Sequence, residues 1–337
     1  MPKSAVRIAL DVMGGVYAHT DVVKGAVLAA RKGGIELILV GPLDTIEAEL
    51  TKYDTSGLAI RRVRADEFVR EGEHPALALR RKPNATVVVA TNLVKSGEAD
   101  AIVSAGNTGA VVASALYLLG AIEGLDRPVV GGPILGLAPN TVLMDGGGNI
   151  DCKPYHLLNF AIVGCVYARK MLNIPNPTVA VLSVGAEKGK GNALAKETYD
   201  LFEKSGLNFI GNVEGHDIVG GKANVIVCDG FVGNILIKFC EGLGVAISDW
   251  LQTQLKGRLP QSDINSLSAR LHTLTSPADT LGGGPLWGVK GVSCVSHGRS
   301  KAPQIAGTIE QAKKAVESGL VEALNSELLK FREKIKQ

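Results

Sequence analysis

The stretch ANVIVCDGFVGN, residues 223–234, runs from a buried-looking apolar segment straight into a carboxylate. Asp229 is flanked by Gly230, Gly233 and Asn234, and a long helical pattern, ILIKFCEGLGVAISDWL (235–251), follows. A core strand has no need of such a turn. A strand that ends at a small-molecule site does, because in open α/β sheets ligands sit beyond the carboxyl ends of the strands.

The same grammar recurs outward from this point. Short β-branched runs at 6–12, 35–41, 58–63, 100–106, 141–145, 178–185, 224–230 and 291–298 predict strands. Longer periodic segments near 20–32, 85–96, 107–120, 154–172, 189–205, 231–256, 262–275 and 301–331 predict helices. Near-continuous apolar strands alternating with helices imply a mostly parallel sheet covered on both faces. We expect one α/β domain over residues 1–337, with a projecting helical arm at about 246–284 that closes in a Gly-rich loop.

Composition narrows the function classes. The chain has 337 residues, 46% of them hydrophobic, enough for a large core. A formal net charge of +3 is too weak to imply nucleic acid and fits an anionic substrate or acidic partner. The five cysteines, Cys152, Cys165, Cys228, Cys240 and Cys294, include no CxxC pair, so neither a disulfide framework nor a zinc site is indicated. The N-terminal apolar run is interrupted by Asp11 and does not read as a secretion signal. No uncharged apolar stretch of about 18 residues occurs, so no membrane span is expected.

Six predicted strands end in polar turns: LDVMGG (10–15), SAGNTGA (104–110), MDGGGNID (144–151), SVGAEKGKGN (183–192), CDGFVGN (228–234) and SHGRSK (296–301). Backbone N–H groups at a helix start make an anion site, and glycine lets main chain approach a ligand. One such turn is a routine connection. Six at strand ends are harder to read that way. None is GxGxxG or GxxxxGK[ST], so neither a dinucleotide fingerprint nor a Walker A loop is present.

The motifs ALDVMGG, EHPALALRRK, SAGNTGA, DGGGNIDCKPYHLLNFAIVG, KGN, NFIGNVEGHDI, CDGFVGN and GVKGV…HG occur in this order over about residues 6–315. In that order they resemble the bacterial acyl-ACP:phosphate acyltransferase family. The resemblance implies an α/β/α sandwich of the isopropylmalate dehydrogenase and phosphotransacetylase type. It implies conversion of acyl carrier protein thioester and inorganic phosphate to acyl phosphate, which feeds glycerol-3-phosphate acyltransferase in phospholipid synthesis. It also implies a cytoplasmic homodimer in peripheral contact with the inner face of the membrane. No cofactor or metal is expected. The sequence departs from the family pattern at Val16, His19, Gly146, Gly148, Ala186, the PNA of 83–85 and Arg299, which leaves the roles of those side chains open.

Phosphate attack on a thioester needs a bound anion, a stabilised oxyanion and a leaving thiolate. Phosphate is itself nucleophilic, so positioning and preorganised donors can suffice, each oxyanion donor being worth roughly 3–4 kcal/mol. The sequence has no GxSxG elbow. We expect Gly106, Asn107, Thr108 and Gly109 to hold phosphate at a helix start, with an Asn N-cap as the plainer reading. Lys190 and Asn192 would neutralise phosphate or oxyanion, and Asp229 and Asn234 would orient donors or a pantetheine amide. His297 could protonate the thiolate. Asp11, Gly14 and Gly15 would line the pocket floor, and Asn149 would contact substrate. Arg80 and Lys82 would meet phosphate or an acidic carrier protein, unless they form a solvated face. The apolar stripe Ile247, Trp250, Leu251 and Leu255 reads as core, dimer or membrane contact. The same residues would serve an acyl-CoA-dependent phosphotransacetylase, and a non-catalytic acyl- or anion-binding module is the reading from another class.

Overall fold

The structure is a computed structural model that describes residues 5–70, 72–125 and 127–335. The chain runs β1 (Val6–Asp11), α1 (Thr20–Ala30), β2 (Ile35–Gly41), α2 (Leu43–Leu50), β3 (Ile60–Arg64), α3 (Pro75–Arg81), α4 (Thr86–Lys95), β4 (Ala101–Ser104) and α5 (Thr108–Leu118). Next come β5 (Val129–Pro133), β6 (Val142–Met144), α6 (Pro154–Met171), β7 (Val179–Leu182), α7 (Ala193–Glu203), β8 (Phe209–Val213), α8 (Gly215–Val219), β9 (Val225–Val227), α9 (Gly230–Leu255), α10 (Gln261–Thr275) and α11 (Pro277–Leu281). β10 (Gly283–Trp287), β11 (Val292–Ser296), α12 (Ala302–Glu317) and α13 (Leu320–Ile335) complete it. Where the sequence reading expects one domain, the chain divides into two compact units. One holds residues 1–122 and 281–325, the other 123–280 and 326–337.

In the first unit the strand order is β3-β2-β1-β4-β11-β10, parallel except for the β10–β11 pair. β1 is almost wholly buried, as its apolar run requires. Its one half-exposed residue, Arg7, pairs with Asp100 at 2.6 Å. Ala9, Ile38 and Ile102 pack on α4 and on Val111 of α5, while α12 lies against β1, β4 and β11. Alternate side chains leave a strand on opposite faces, so both faces are covered. The chain passes from β1 to β2 and β3 on one side, then returns to β4 on the other. That places a topological switch point between the ends of β1 and β4.

The second unit has the order β5-β6-β9-β7-β8, parallel except for β5–β6. The carboxyl ends of β6, β9 and β7 therefore lie side by side. α6 packs on β6 and β9 with a nearly continuous buried face. α9 and α10 pack on each other as a hairpin.

Several expectations need correction. The Gly-rich loop expected at the end of the arm is strand β10, held by antiparallel pairing to β11. The single long helix expected over 301–331 is two, α12 and α13, broken at Gly319, whose φ of 62° suits glycine. α9 is long and apolar enough to cross a membrane by length and composition. Lys238 and Glu241 interrupt its apolar run, which is why the sequence reading passed over it.

Candidate functional site

In the first unit, three of the strand-end turns converge. Ser104 Oγ donates to Asp11 Oδ2 at 2.7 Å and accepts from the Gly106 N–H at 3.0 Å. Met13 N–H donates to Asp11 Oδ1 at 3.2 Å. A Cβ on Gly14 would come within 2.6 Å of Gly106 N, and one on Gly15, at φ 95°, within 3.0 Å of Gly298 O. Val16 N–H donates to Gly298 O at 2.7 Å. The turns after β1, β4 and β11 are thus locked together at the switch point, and only glycine fits where they touch.

Asp11 is buried, and burial pushes its carboxyl above the ordinary range against hydrogen bonds from Thr86 and Ser104. The cavity that Asp11 shares with Gly14, Thr86, Ser104, Gly106 and Asn107 measures about 10 Å³. That is barely room for one water. Asp11 lines this cavity, with its carboxyl engaged by Ser104 and by the Met13 N–H. It holds Ser104, and Ser104 holds the Gly106 amide.

Asn107 is the N-cap of α5, its Oδ1 accepting from Ala110 N–H at 3.0 Å. Capping commits the oxygen and leaves the Nδ2 group as a donor. Thr108 is exposed at the first helical position. Gly109 faces Pro75, whose Cγ a Cβ would meet at 2.7 Å, so it serves the packing of α3 on α5. The Lys82 ammonium binds Glu73 at 2.7 Å and Phe68 O at 3.0 Å. Arg80 and His297 are exposed.

In the second unit Asn149 is engaged within the protein. Its Nδ2 donates to Asp145 Oδ2 at 2.7 Å and to Pro128 O at 2.9 Å, and the residue is buried. Asp145 also accepts from Gly147 N–H at 3.1 Å and Gly148 N–H at 2.8 Å. Burial raises its carboxyl, and these bonds oppose the shift. The turn after β6 is a self-satisfied knot. It supports the start of α9, where Gly230 N–H donates to Asn149 O at 2.8 Å and Gly233 packs flush on Asp145 O. Asn234 is exposed beside Gly147, whose bare Cα leaves room for it.

Asn192 and Asp229 repeat the device seen at Asn107. Asn192 Oδ1 caps α7 through Ala195 N–H at 2.9 Å, and Asp229 Oδ1 caps α9 through Val232 N–H at 2.9 Å. Both line one cavity of about 200 Å³. Its other walls are mostly aliphatic, and Ser183 Oγ in its wall is buried with no hydrogen-bond partner. Lys190 is exposed on the same turn as Asn192, with no partner for its ammonium among the described residues. Cys228 also lines the cavity, but burial, with Asp229 and Asp145 nearby, pushes its thiol well up, so it is a poor nucleophile. Among the described residues no group of three or more His, Cys, Asp or Glu could hold a metal.

Sequence reasoning missed Ser104, Ser183 and the cavity itself. Only Ser104 left a signal, since it ends its strand in register with Asp11.

The model of the fatty acid synthesis protein family matches residues 6–323. A phosphate acyltransferase of Pelotomaculum thermopropionicum is 44% identical over 326 residues, covering 96% of this chain and 95% of its own. One of Desulforamulus reducens is 44% identical over 328 residues, covering 96% and 97%. Among solved structures, a phosphotransacetylase from Streptococcus pyogenes is similar at TM-score 0.64 and 20% identity, covering 95% of this chain and 94% of that one. A branched-chain phosphotransacylase from Enterococcus faecalis is similar at TM-score 0.55 and 16% identity, covering 92% and 99%. At such identities these structures speak for the fold alone, a mostly parallel sheet with helices, as expected. By its family match and by identity over nearly its whole length, the chain belongs to the fatty acid synthesis protein family and is an acyltransferase of the phosphate acyltransferase kind.

Proposed function

We propose that the protein transfers an acyl group from acyl carrier protein thioester to inorganic phosphate, and that the acyl phosphate feeds phospholipid synthesis through a glycerol-3-phosphate acyltransferase. The observation that carries this reading is the 44% identity to phosphate acyltransferases over 96% of the chain. A phosphate oxygen attacks the thioester carbonyl carbon, and the carbonyl electrons move onto oxygen. Collapse re-forms the carbonyl, breaks the C–S bond and releases a thiolate that takes up a proton.

The chain's own donors suit these steps. In the first unit the α5 start offers N–H groups and Asn107 Nδ2 to a phosphate, preorganised by Asp11 and Ser104. In the second unit Lys190 is an exposed, uncommitted cation beside the capped start of α7. We assign it to the charge that grows in the transition state. Asp229 and Asn192 act as caps that fix their turns, and Asn234 remains a candidate donor. His297 is our candidate for protonating the thiolate.

Phe231, Ile235, Phe239 and Leu243 recur every fourth residue on α9 and are 44–63% exposed, with Trp250 exposed further along. Such a stripe is costly in water. We place homodimer contact and peripheral contact with the inner face of the membrane on it, in a cytoplasmic enzyme.

The test is incubation of the purified protein with acylated carrier protein and radiolabelled phosphate, with acyl phosphate trapped by hydroxylamine. We expect label-dependent product, and turnover about 10²-fold lower in Lys190→Ala with the fold intact. Product from acyl-CoA but none from the carrier thioester would overturn the donor assignment. No product from either would overturn the reaction.

A further inference from the structure

We propose that the 200 Å³ cavity of the second unit receives the acyl chain, methyl end inward, and that its wall sets the chain length accepted. The inference rests on the acyl-transfer reading above. Its walls come from four elements: Leu157 of α6, Val181 and Leu182 of β7, Leu194 of α7 and Val232 of α9, with Val184 exposed at the rim. An engineered apolar cavity of roughly 150 Å³ takes up benzene, so this one has room for about eight carbons.

The polar inventory of the cavity is short. Asn192 and Asp229 spend one oxygen each on capping α7 and α9. Ser183 Oγ, next to the rim residue Val184, is buried and unpaired among the described residues. A pantetheine arm carries two amides, and four aliphatic walls would leave most of their donors and acceptors unmatched. An acyl chain brings a single polar group, its carbonyl, at one end only. Seated with that end at the rim, it matches aliphatic wall to methylene. Pockets that are mostly apolar with a few placed polar groups are the usual form of a small-molecule site. The rim also lies at the strand-end turn that carries Lys190 and Asn192, so a chain inserted here presents its carbonyl to that turn.

Two variants change the wall in opposite directions. Val232→Phe fills the cavity from the first turn of α9, and Leu194→Ala, at a half-buried position that tolerates truncation, enlarges it. Two measurements are made on each: the kcat/KM ratio for decanoyl over butyryl thioesters, and calorimetric binding of nonanoate to the enzyme. We expect Val232→Phe to lower the ratio and weaken nonanoate binding by about 10-fold or more each, and Leu194→Ala to raise the ratio. Residual nonanoate bound by Val232→Phe reports the exposed stripe of α9. Folded variants with unchanged ratio and unchanged affinity overturn the proposal. If Val232→Phe does not fold, Leu194→Ala decides by whether the ratio moves. If the wild type makes no acyl phosphate from any donor, the reaction reading fails by itself. Calorimetry then decides the cavity, with an affinity insensitive to the wall counting against it.

Discussion

At the scale of single residues, one side chain does two jobs that substitution can separate. Asn107 caps α5 through Oδ1 and is assigned to phosphate through Nδ2. Asn107→Asp keeps the capping oxygen, removes the donor and adds a negative charge where the anion should sit. We expect its thermal stability to stay near wild type while its KM for phosphate rises about 10-fold or more, whereas Asn107→Ala should also lose about 1 kcal/mol of stability. A phosphate KM in Asn107→Asp equal to wild type would show the residue to be a cap alone. Asp11 offers a second test. Burial raises its carboxyl above the ordinary 3.8. The folded state then holds the proton more tightly than the unfolded chain, so its contribution to stability is fully present below the unfolded value and is lost as pH rises through the folded one. Asp11→Asn cannot ionise. Its Tm relative to wild type should therefore climb as pH is raised from about 4 towards 7. A constant difference across that window would mean that Asp11 titrates normally.

At the scale of elements, the apolar stripe of α9 makes the plainest demand. Phe239→Ser with Trp250→Ser should weaken self-association in sedimentation, or co-sedimentation with anionic vesicles, while leaving the melt nearly unchanged, because both side chains are exposed. A melt that falls sharply while both associations persist would mean the stripe is packed within the fold. The elements also show what the sequence makes legible. β1, β4 and β9 are near-continuous apolar runs that end in a polar turn, and each forms where expected. β5 reads VVGGP and β10 reads GGPLW, compositions that signal turns; both become strands because antiparallel partners, β6 and β11, supply the hydrogen bonds. The cap at Asn107 was readable because a strand-to-helix turn dictates its position, whereas Asn192 and Asp229 were expected to serve substrate and only the structure shows their capping. The Asn149–Asp145 pair was not legible, because the partner lies four residues back and only burial reveals that the pair satisfies itself. A lone serine such as Ser183 means nothing in a sequence until the structure shows its hydroxyl stranded in an apolar wall.

At the scale of the whole molecule, the chain is a phosphate acyltransferase by kinship, and its proposed nucleophile is phosphate itself. No serine elbow is present, and the cavity's own thiol, Cys228, is suppressed by burial. We therefore propose that catalysis falls to positioned N–H groups, amides and Lys190 at strand ends. That claim differs from hydrolysis in the origin of one oxygen atom. The decisive measurement is a mass spectrum of the product made from acylated carrier protein and phosphate labelled with heavy oxygen at every position, in ordinary water. We expect acyl phosphate that retains every heavy oxygen, with its amount rising and saturating with phosphate concentration. Free fatty acid carrying an oxygen from water, formed at a rate indifferent to phosphate, would contradict it.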